Sequence, residues 1–172
     1  MTLTDAQIER YSRQIIVPHV GGRGQERLLA ANVLLIGDAR DIEAPLAYLD
    51  GAGVGKISLR TDDSHSSADL AVVFVGSEAT RRVAQEIANR RDARAMVIAR
   101  LDAPGKIAVI PDAQSAIDAS MFAELGERTE AADFIAMLAT AEAFKLLAGY
   151  AENPPRAIIE FDGYASRGRV NP

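Results

Sequence analysis

Residues 68–76 read ADLAVVFVG, apolar at every position but Asp69 until the closing glycine. A strand with one wet face alternates apolar and polar residues. This run does not, and it is too short for a typical buried helix, so it predicts a strand covered on both faces, as in the parallel sheets of α/β proteins. Helices must then lie on both sides of it.

The rest of the chain supplies them. NVLLIG (32–37) reads as a second buried strand, DIEAPLAYLDGA (41–52) as a helix broken by Gly51 and Gly53, and KISLR (56–60) as the next strand, which together make a βαβ unit. Ser77 caps a helix of good formers, EATRRVAQEIANRR. AMVIAR and KIAVIP flank the turn signal DAPG, so they form a hairpin or lie at the sheet edge. Residues 112–129 read as a loop with one short helix. The segment 130–149 is the longest helix and ends at a glycine C-cap. Phe134, Met137, Phe144 and Leu147 recur along it at helical spacing, as a core or dimer-interface face. AIIEFDGYASRGRV predicts two strands around a DG turn. Before all of these, Thr4 and Gln7 fit a capping box. Ile8, Tyr11 and Ile15 mark an amphipathic helix ending before Pro18, and a short helix follows from Gly24 to Ala31.

The expected fold is therefore α/β: a doubly wound, Rossmann-like, mostly parallel sheet with helices on both faces and a C-terminal antiparallel hairpin. At 172 residues the chain reads as a single domain, 1–172, with an N-terminal helical arm over 1–31. In such folds ligands sit at the carboxyl ends of the strands, here near Gly37, Thr61 and Gly76.

Composition narrows the chemistry. The chain has no cysteine, which excludes disulfides, thiolate metal ligands and any thioester or persulfide on its own side chains. A net charge of −5 argues against a broad nucleic-acid surface. NRRDAR (89–94) reads as the solvated end of a helix. The first twenty residues carry Asp5, Glu9, Arg10 and Arg13 and no long apolar run, so neither a signal peptide nor a membrane span is expected, and the location expected is cytoplasmic. His19 and His65 lie in different loops with no third ligand suitably spaced, so no zinc or other metal site is expected. No GxSxG elbow supports serine hydrolase chemistry.

The ordered series LTDAQIERYSRQIIVPHVGGRGQERLLAANVLLIG, YLDGAGVGKISL, ADLAVVFVGSEATRR, AEAFKLLAG and IIEFDGYASR resembles the ThiF/MoeB/HesA family, bacterial relatives of ubiquitin-activating enzymes. The resemblance spans nearly the whole chain. It implies a homodimeric or pseudo-symmetric heterodimeric ancestry in which ATP and magnesium serve to adenylate the C-terminal carboxylate of a ubiquitin-like carrier protein. Pathways of that kind include thiamine and molybdopterin synthesis.

The residues depart from the family where the nucleotide would bind. A GxGGxG-type turn is replaced by Gly37, Asp38, Ala39, Arg40, Asp41 and Ile42, so only the first glycine survives. Later glycines in such a turn let backbone N–H groups approach phosphate, an approach that Ile42 fills. Asp38 and Asp41 add negative charge, and one unit charge at about 4 Å costs roughly 4 kcal/mol at an effective dielectric of 20. Arg40 offsets part of it. The next strand places Thr61 where the family offers a ribose-binding aspartate, while Asp63 matches a second acidic residue. Only SHSS then intervenes before ADLAVV, a deletion that removes a structural unit with its phosphate-binding arginine. Gly76 falls where the resemblance implies a magnesium-holding aspartate.

Arg13 of YSRQI is retained. In the family the matching arginine reaches across the dimer to the partner's ATP phosphates, as a donated arginine stabilises charge elsewhere in phosphoryl transfer. The sequence thus points to a truncated, degenerate, non-catalytic member that forms a homodimer, or a heterodimer with an active ThiF/MoeB-like paralogue to which it lends Arg13. ATP and magnesium enter by resemblance only. The alternative is an ATP-dependent adenylyltransferase with a rearranged site in which Gly37, Arg40, Thr61, Asp63 and Ser77 are the nearest ligands. A third reading is a docking subunit for a ubiquitin-like carrier protein, using the C-terminal sheet.

Overall fold

Thr4 opens the first helix as the sequence predicts: its hydroxyl accepts from the Gln7 N–H at 3.3 Å while the Gln7 side chain accepts from the Thr4 N–H at 2.9 Å. The structure, a computed structural model, describes residues 2–59, 68–112, 117–150, 156–162 and 165–169. In chain order the elements begin with α1 (Asp5–Arg10), α2 (Ser12–Ile15), α3 (Gly21–Ala30), β1 (Asn32–Ile36), α4 (Ala39–Gly51) and β2 (Lys56–Leu59). There follow β3 (Ala68–Val75), α5 (Glu78–Arg90), β4 (Ala93–Arg100), β5 (Gly105–Ile110) and a 3-10 turn (Ala119–Phe122). The chain closes with α6 (Ala132–Ala148), β6 (Ala157–Asp162) and β7 (Ala165–Arg169).

The strands form one seven-stranded sheet in the order β2-β1-β3-β4-β5-β6-β7. The first four in that order are mutually parallel, and the last three add on antiparallel. DAPG does form a hairpin between β4 and β5, but β5 is no edge strand, because β6 pairs with its other side. Asp162 pairs with Ala165, and Gly163 and Tyr164, on which the expected DG turn falls, lie outside the described residues.

Side-chain alternation builds two cores. Val33, Leu35, Leu70, Val72 and Phe74 face one side with Leu28, Leu49 and Ile135 from helices α3, α4 and α6. Leu34, Ile36, Val73, Met96 and Ile98 face the other with Ile87 of α5 and Met121. Every residue of β3 after Asp69 is fully or almost fully buried, which accounts for the uniform apolarity of the run. Each such Val or Leu contributes about 1.5–3 kcal/mol relative to exposure.

Two local expectations are corrected. The N-terminal helix is broken at Tyr11, which leaves helical geometry (φ −102°, ψ 15°) so that its ring packs on Gly53, where a Cβ would lie 2.6 Å from Tyr11 Cζ. Gly53 also takes φ +85°, a conformation costly for any side chain. The second helix starts at Gly21 rather than Gly24, because His19 (φ 70°) and Gly21 (φ 60°) turn the chain early. The fully buried seam of α6 is Ile135, Ala136, Ala139, Thr140 and Ala143; Phe144 and Leu147 pack half-buried against the same core, Met137 is half-buried and Phe134 is exposed. Small residues let this helix lie close on the sheet. Its end is as expected, with Gly149 in the left-handed region at φ 69°.

Candidate functional site

Strands β1 and β3 run parallel side by side, with Ile36 opposite Val73, and their connections leave in opposite directions across the sheet. That makes their carboxyl ends the topological switch point, the crevice where α/β sheets bind ligands. Gly37 and Asp38 lead from β1 into α4. Gly76 and Ser77 lead from β3 into α5.

The backbone donors of the second loop are already used. Thr80 Oγ1 accepts from the N–H groups of Gly76 (3.2 Å) and Ser77 (3.0 Å), and the Ser77 hydroxyl accepts from the Thr80 N–H (3.3 Å) in a capping box. Ser77 Oγ also donates to Asp38 Oδ1 at 3.2 Å, tying the two loops together. At the first loop, a Cβ on Gly37 would lie 2.7 Å from Ile42 Cγ2 and 3.1 Å from Phe74 Cβ. Ile42 thus covers Gly37.

Asp41, in the first turn of α4, covers Gly76. A Cβ there would overlap Asp41 Oδ2 and come within 3.4 Å of Arg128 Nη1. The Asp41 side chain is 0% exposed, and Arg128 Nη2 lies 2.7 Å from its Oδ1. The contact is an ion pair without an aligned hydrogen bond, for neither Asp41 oxygen nor Arg128 Nη1 has a hydrogen-bond partner among the described residues. Arg128 Nη2 also donates to Asp133 Oδ1 at 3.1 Å. Arg40 is a lesser partner: its Nε is 3.7 Å from Asp41 Oδ1 and its side chain is 65% exposed.

Arg128 is delivered by backbone pairing far from Asp41 in sequence. The segment around it pairs with the turn after β4 through an Asp102–Arg128 bridge, Ala103 N–H to Glu127 O (2.9 Å) and Thr129 N–H to Leu101 O (2.9 Å). A buried pair holds that turn. Arg100 Nε donates to Asp102 Oδ1 at 2.9 Å, its Nη2 reaches Asp102 Oδ2, and its remaining N–H groups donate to the carbonyls of Ser120, Ala123 and Glu124. Burial alone would raise the Asp102 pKa, but the Arg100 hydrogen bond, the Gly126 N–H and the Arg100 charge together hold it below the usual carboxylate range.

Of the residues singled out from sequence, Gly37 and Ser77 meet at the switch point, and Arg40 stands at its exposed margin. Thr61 and Asp63 lie outside the described residues. Arg13 is not part of this cluster. Its neighbour Gln14 lines an apolar cavity of about 550 Å³ with Val17, Ala47, Tyr48, Ala52 and Phe144, against the C-terminal half of α4. Tyr48 lies seven residues, roughly 10 Å, along the helix from Asp41. Arg13 itself is exposed and makes no hydrogen bond or ion pair with the described residues. Other residues of its motif have packing roles: Tyr11 on Gly53, and Gln25, fully buried, donating to the Ala52 carbonyl at 3.0 Å. The sequence reading missed Arg128 and Thr80. A Ser–x–x–Thr spacing was a legible sign of the latter, while nothing local marks Arg128.

Elsewhere, His19 packs against Tyr150 with ring centroids 4.9 Å apart. Among the described residues no three His, Cys, Asp or Glu side chains cluster as metal ligands, and no helix is long and apolar enough to cross a membrane.

No family model matches the chain. Among curated proteins it is similar to the adenylyltransferase and sulfurtransferase uba4 of Pyricularia oryzae, 48% identical over 69 residues. It is also similar to the adenylyltransferase and sulfurtransferase MOCS3 of Mus musculus, 44% identical over 78 residues. These matches take in 40% and 45% of the chain and only 14% and 17% of the relatives' lengths. Among solved structures, E. coli MccB with ATP superposes with a TM-score of 0.64 at 12% identity, over 94% of this chain and 71% of that one. PaaA superposes with a TM-score of 0.61 at 16% identity, over 98% and 75%. The sequence relatives are ThiF/MoeB-like proteins, and the structural neighbours share the same Rossmann-like fold.

Proposed function

We propose that this relative of the ThiF/MoeB/HesA adenylyltransferases is non-catalytic and acts as one subunit of a homodimer, or of a heterodimer with an active paralogue. The observation that carries the reading is the closure of the switch point. A phosphate cradle needs free N–H groups and close backbone approach at a helix N-terminus. Here Ile42 covers Gly37, the Gly76 and Ser77 amides are taken by Thr80, and the Asp41 carboxylate fills the space over Gly76. The residues present do not fit a nucleotide triphosphate, nor a magnesium ion at position 76. Arg13 supports the second half of the proposal. It is exposed and remote from its own chain's cluster, the disposition of an arginine that serves a neighbouring subunit.

Calorimetric titration with magnesium–ATP tests the first half, and the expected result is no saturable binding. For the second, the chain is mixed with an active paralogue. Wild type is expected to raise adenylation of a ubiquitin-like carrier, and Arg13→Ala is expected to lose that effect; equal activity with either sinks the role in trans.

The names of the sequence relatives favour one other reading, an adenylyltransferase with rearranged ligands drawn from Arg40, Thr61, Asp63 and Ser77. It requires magnesium-dependent pyrophosphate exchange by this chain alone.

A further inference from the structure

We propose that the apolar cavity between α2, α4 and α6 binds a small uncharged aromatic molecule that carries an N–H or O–H donor, with Gln14 as the group that receives it. The proposal does not depend on whether the chain is catalytic, because this cavity is separate from the crevice at the switch point. Tyr48, Gly51 and Ala52 stand at the carboxyl end of α4, whereas the crevice meets its amino end.

The lining sets the chemistry of the occupant. The volume, about 550 Å³, lies in the range of small-molecule pockets and well exceeds that of one aliphatic side chain. Val17, Val20, Ala47 and Ala52 supply apolar walls, and among the described residues no charged side chain lines the cavity. A charged ligand would give up water there without gaining a counter-ion, which disfavours ions and phosphate esters. The rings of Tyr48 and Phe144 stand edge to face, with centroids 6.3 Å apart and planes at 73°. A third ring adds to such a pair by its face or its edge. Gln14 supplies the polar requirement. It borders the cavity, and its Oε1 is buried with no hydrogen-bond partner among the described residues. A buried acceptor in that state costs stability until a donor reaches it. The carboxamide can turn about its last bond, whose torsion is broad, and so offer that oxygen to the cavity. Ile16 of a second copy would fill only part of the volume and brings no donor.

The test is calorimetric titration of the full chain with indole and, separately, with 1-methylindole. The two probes share a ring system, but only indole has an N–H. Wild type is expected to bind indole saturably at one site per chain, and 1-methylindole about fivefold more weakly despite its extra methyl group. Gln14→Leu, which keeps a side chain of similar length without the amide, should bind both probes alike. Ala47→Phe adds a ring to the cavity from an exposed helix position and should abolish binding, with circular dichroism verifying the fold of both variants. The proposal is overturned if wild type binds no indole, if it binds the two probes equally, or if binding survives Ala47→Phe. It is overturned too if indole binding disappears wherever sedimentation shows a dimer, for the occupant is then the second copy. Magnesium–ATP binding by wild type would sink the non-catalytic reading instead, so the two failures are distinguishable.

Discussion

The carboxylate of Asp41 lies over Gly76 so closely that any side chain at position 76 would overlap its Oδ2. Two departures from the family pattern, an acid gained in the first turn of α4 and an acid lost at the end of β3, are thus one packing arrangement. A side chain cannot be restored at position 76 unless the Asp41 carboxylate gives way.

Gly76→Ala is expected to destabilise the protein by about 2 kcal/mol, since the new Cβ must displace a buried, ion-paired group. In the Asp41→Ala background the same change should cost about 1 kcal/mol less, a coupling typical of touching residues. Urea denaturation of the four proteins measures it. Additive effects would mean that Asp41 is free to leave its position over Gly76.

Arg128→Ala removes the cation from a carboxylate that is 0% exposed. Breaking a buried pair from one side costs about 3 kcal/mol, because the remaining carboxylate is out of water and keeps only the largely exposed Arg40 at 3.7 Å. Removing both members should therefore hurt less than removing Arg128 alone. Chemical denaturation of Arg128→Ala and of the double variant with Asp41→Ala decides the order.

Asp102 contributes to the acid limb of stability. Its folded pKa lies below the unfolded value of about 3.9, because the hydrogen bonds and charge of Arg100, with the Gly126 N–H, outweigh the opposing effect of burial. Stability from the pair is thus complete above roughly pH 4 and is lost as pH falls through the folded value. Asp102→Asn should lower stability at pH 7 by about 3 kcal/mol and flatten its dependence on pH below 4. Melting from pH 7 to pH 2 checks both. An unchanged acid slope would mean that other carboxylates govern it.

Much of the architecture was legible because it rests on local rules. The uniform apolarity of residues 68–76, the capping box at Thr4, the N-cap at Ser77 and the Gly149 cap each act within a few residues, and each appears as expected. What escaped depends on distant contacts. Tyr11 breaks its helix for the sake of Gly53, and the buried seam of α6 is read from the sheet it lies on, not from its bulkiest side chains. The site shows the same divide. Ile42 over Gly37 follows from five residues of sequence, whereas Arg128 reaches Asp41 only because Asp102 pairs with it across two loops. Sequence proximity alone gives the charge balance to Arg40, which instead points largely to solvent.

Ile16 is 78% exposed, and Val17 and Tyr48, also exposed, border the apolar cavity beside Gln14. Apolar surface gathered around one cavity is unfavourable in water and marks an interaction face. A face that carries both a protruding Ile16 and an adjacent cavity can meet its own copy about a two-fold axis, each knob reaching the other's hollow. Such a contact would also bring Arg13, three residues before Ile16, to the neighbouring chain. Ile16→Asp combined with Tyr48→Asp should leave the circular dichroism spectrum unchanged, since both side chains are largely outside the core. Sedimentation velocity should then turn a dimer into a monomer. A wild-type protein that sediments as a monomer at every concentration, alone and with the paralogue, would remove the basis for lending Arg13 through this face.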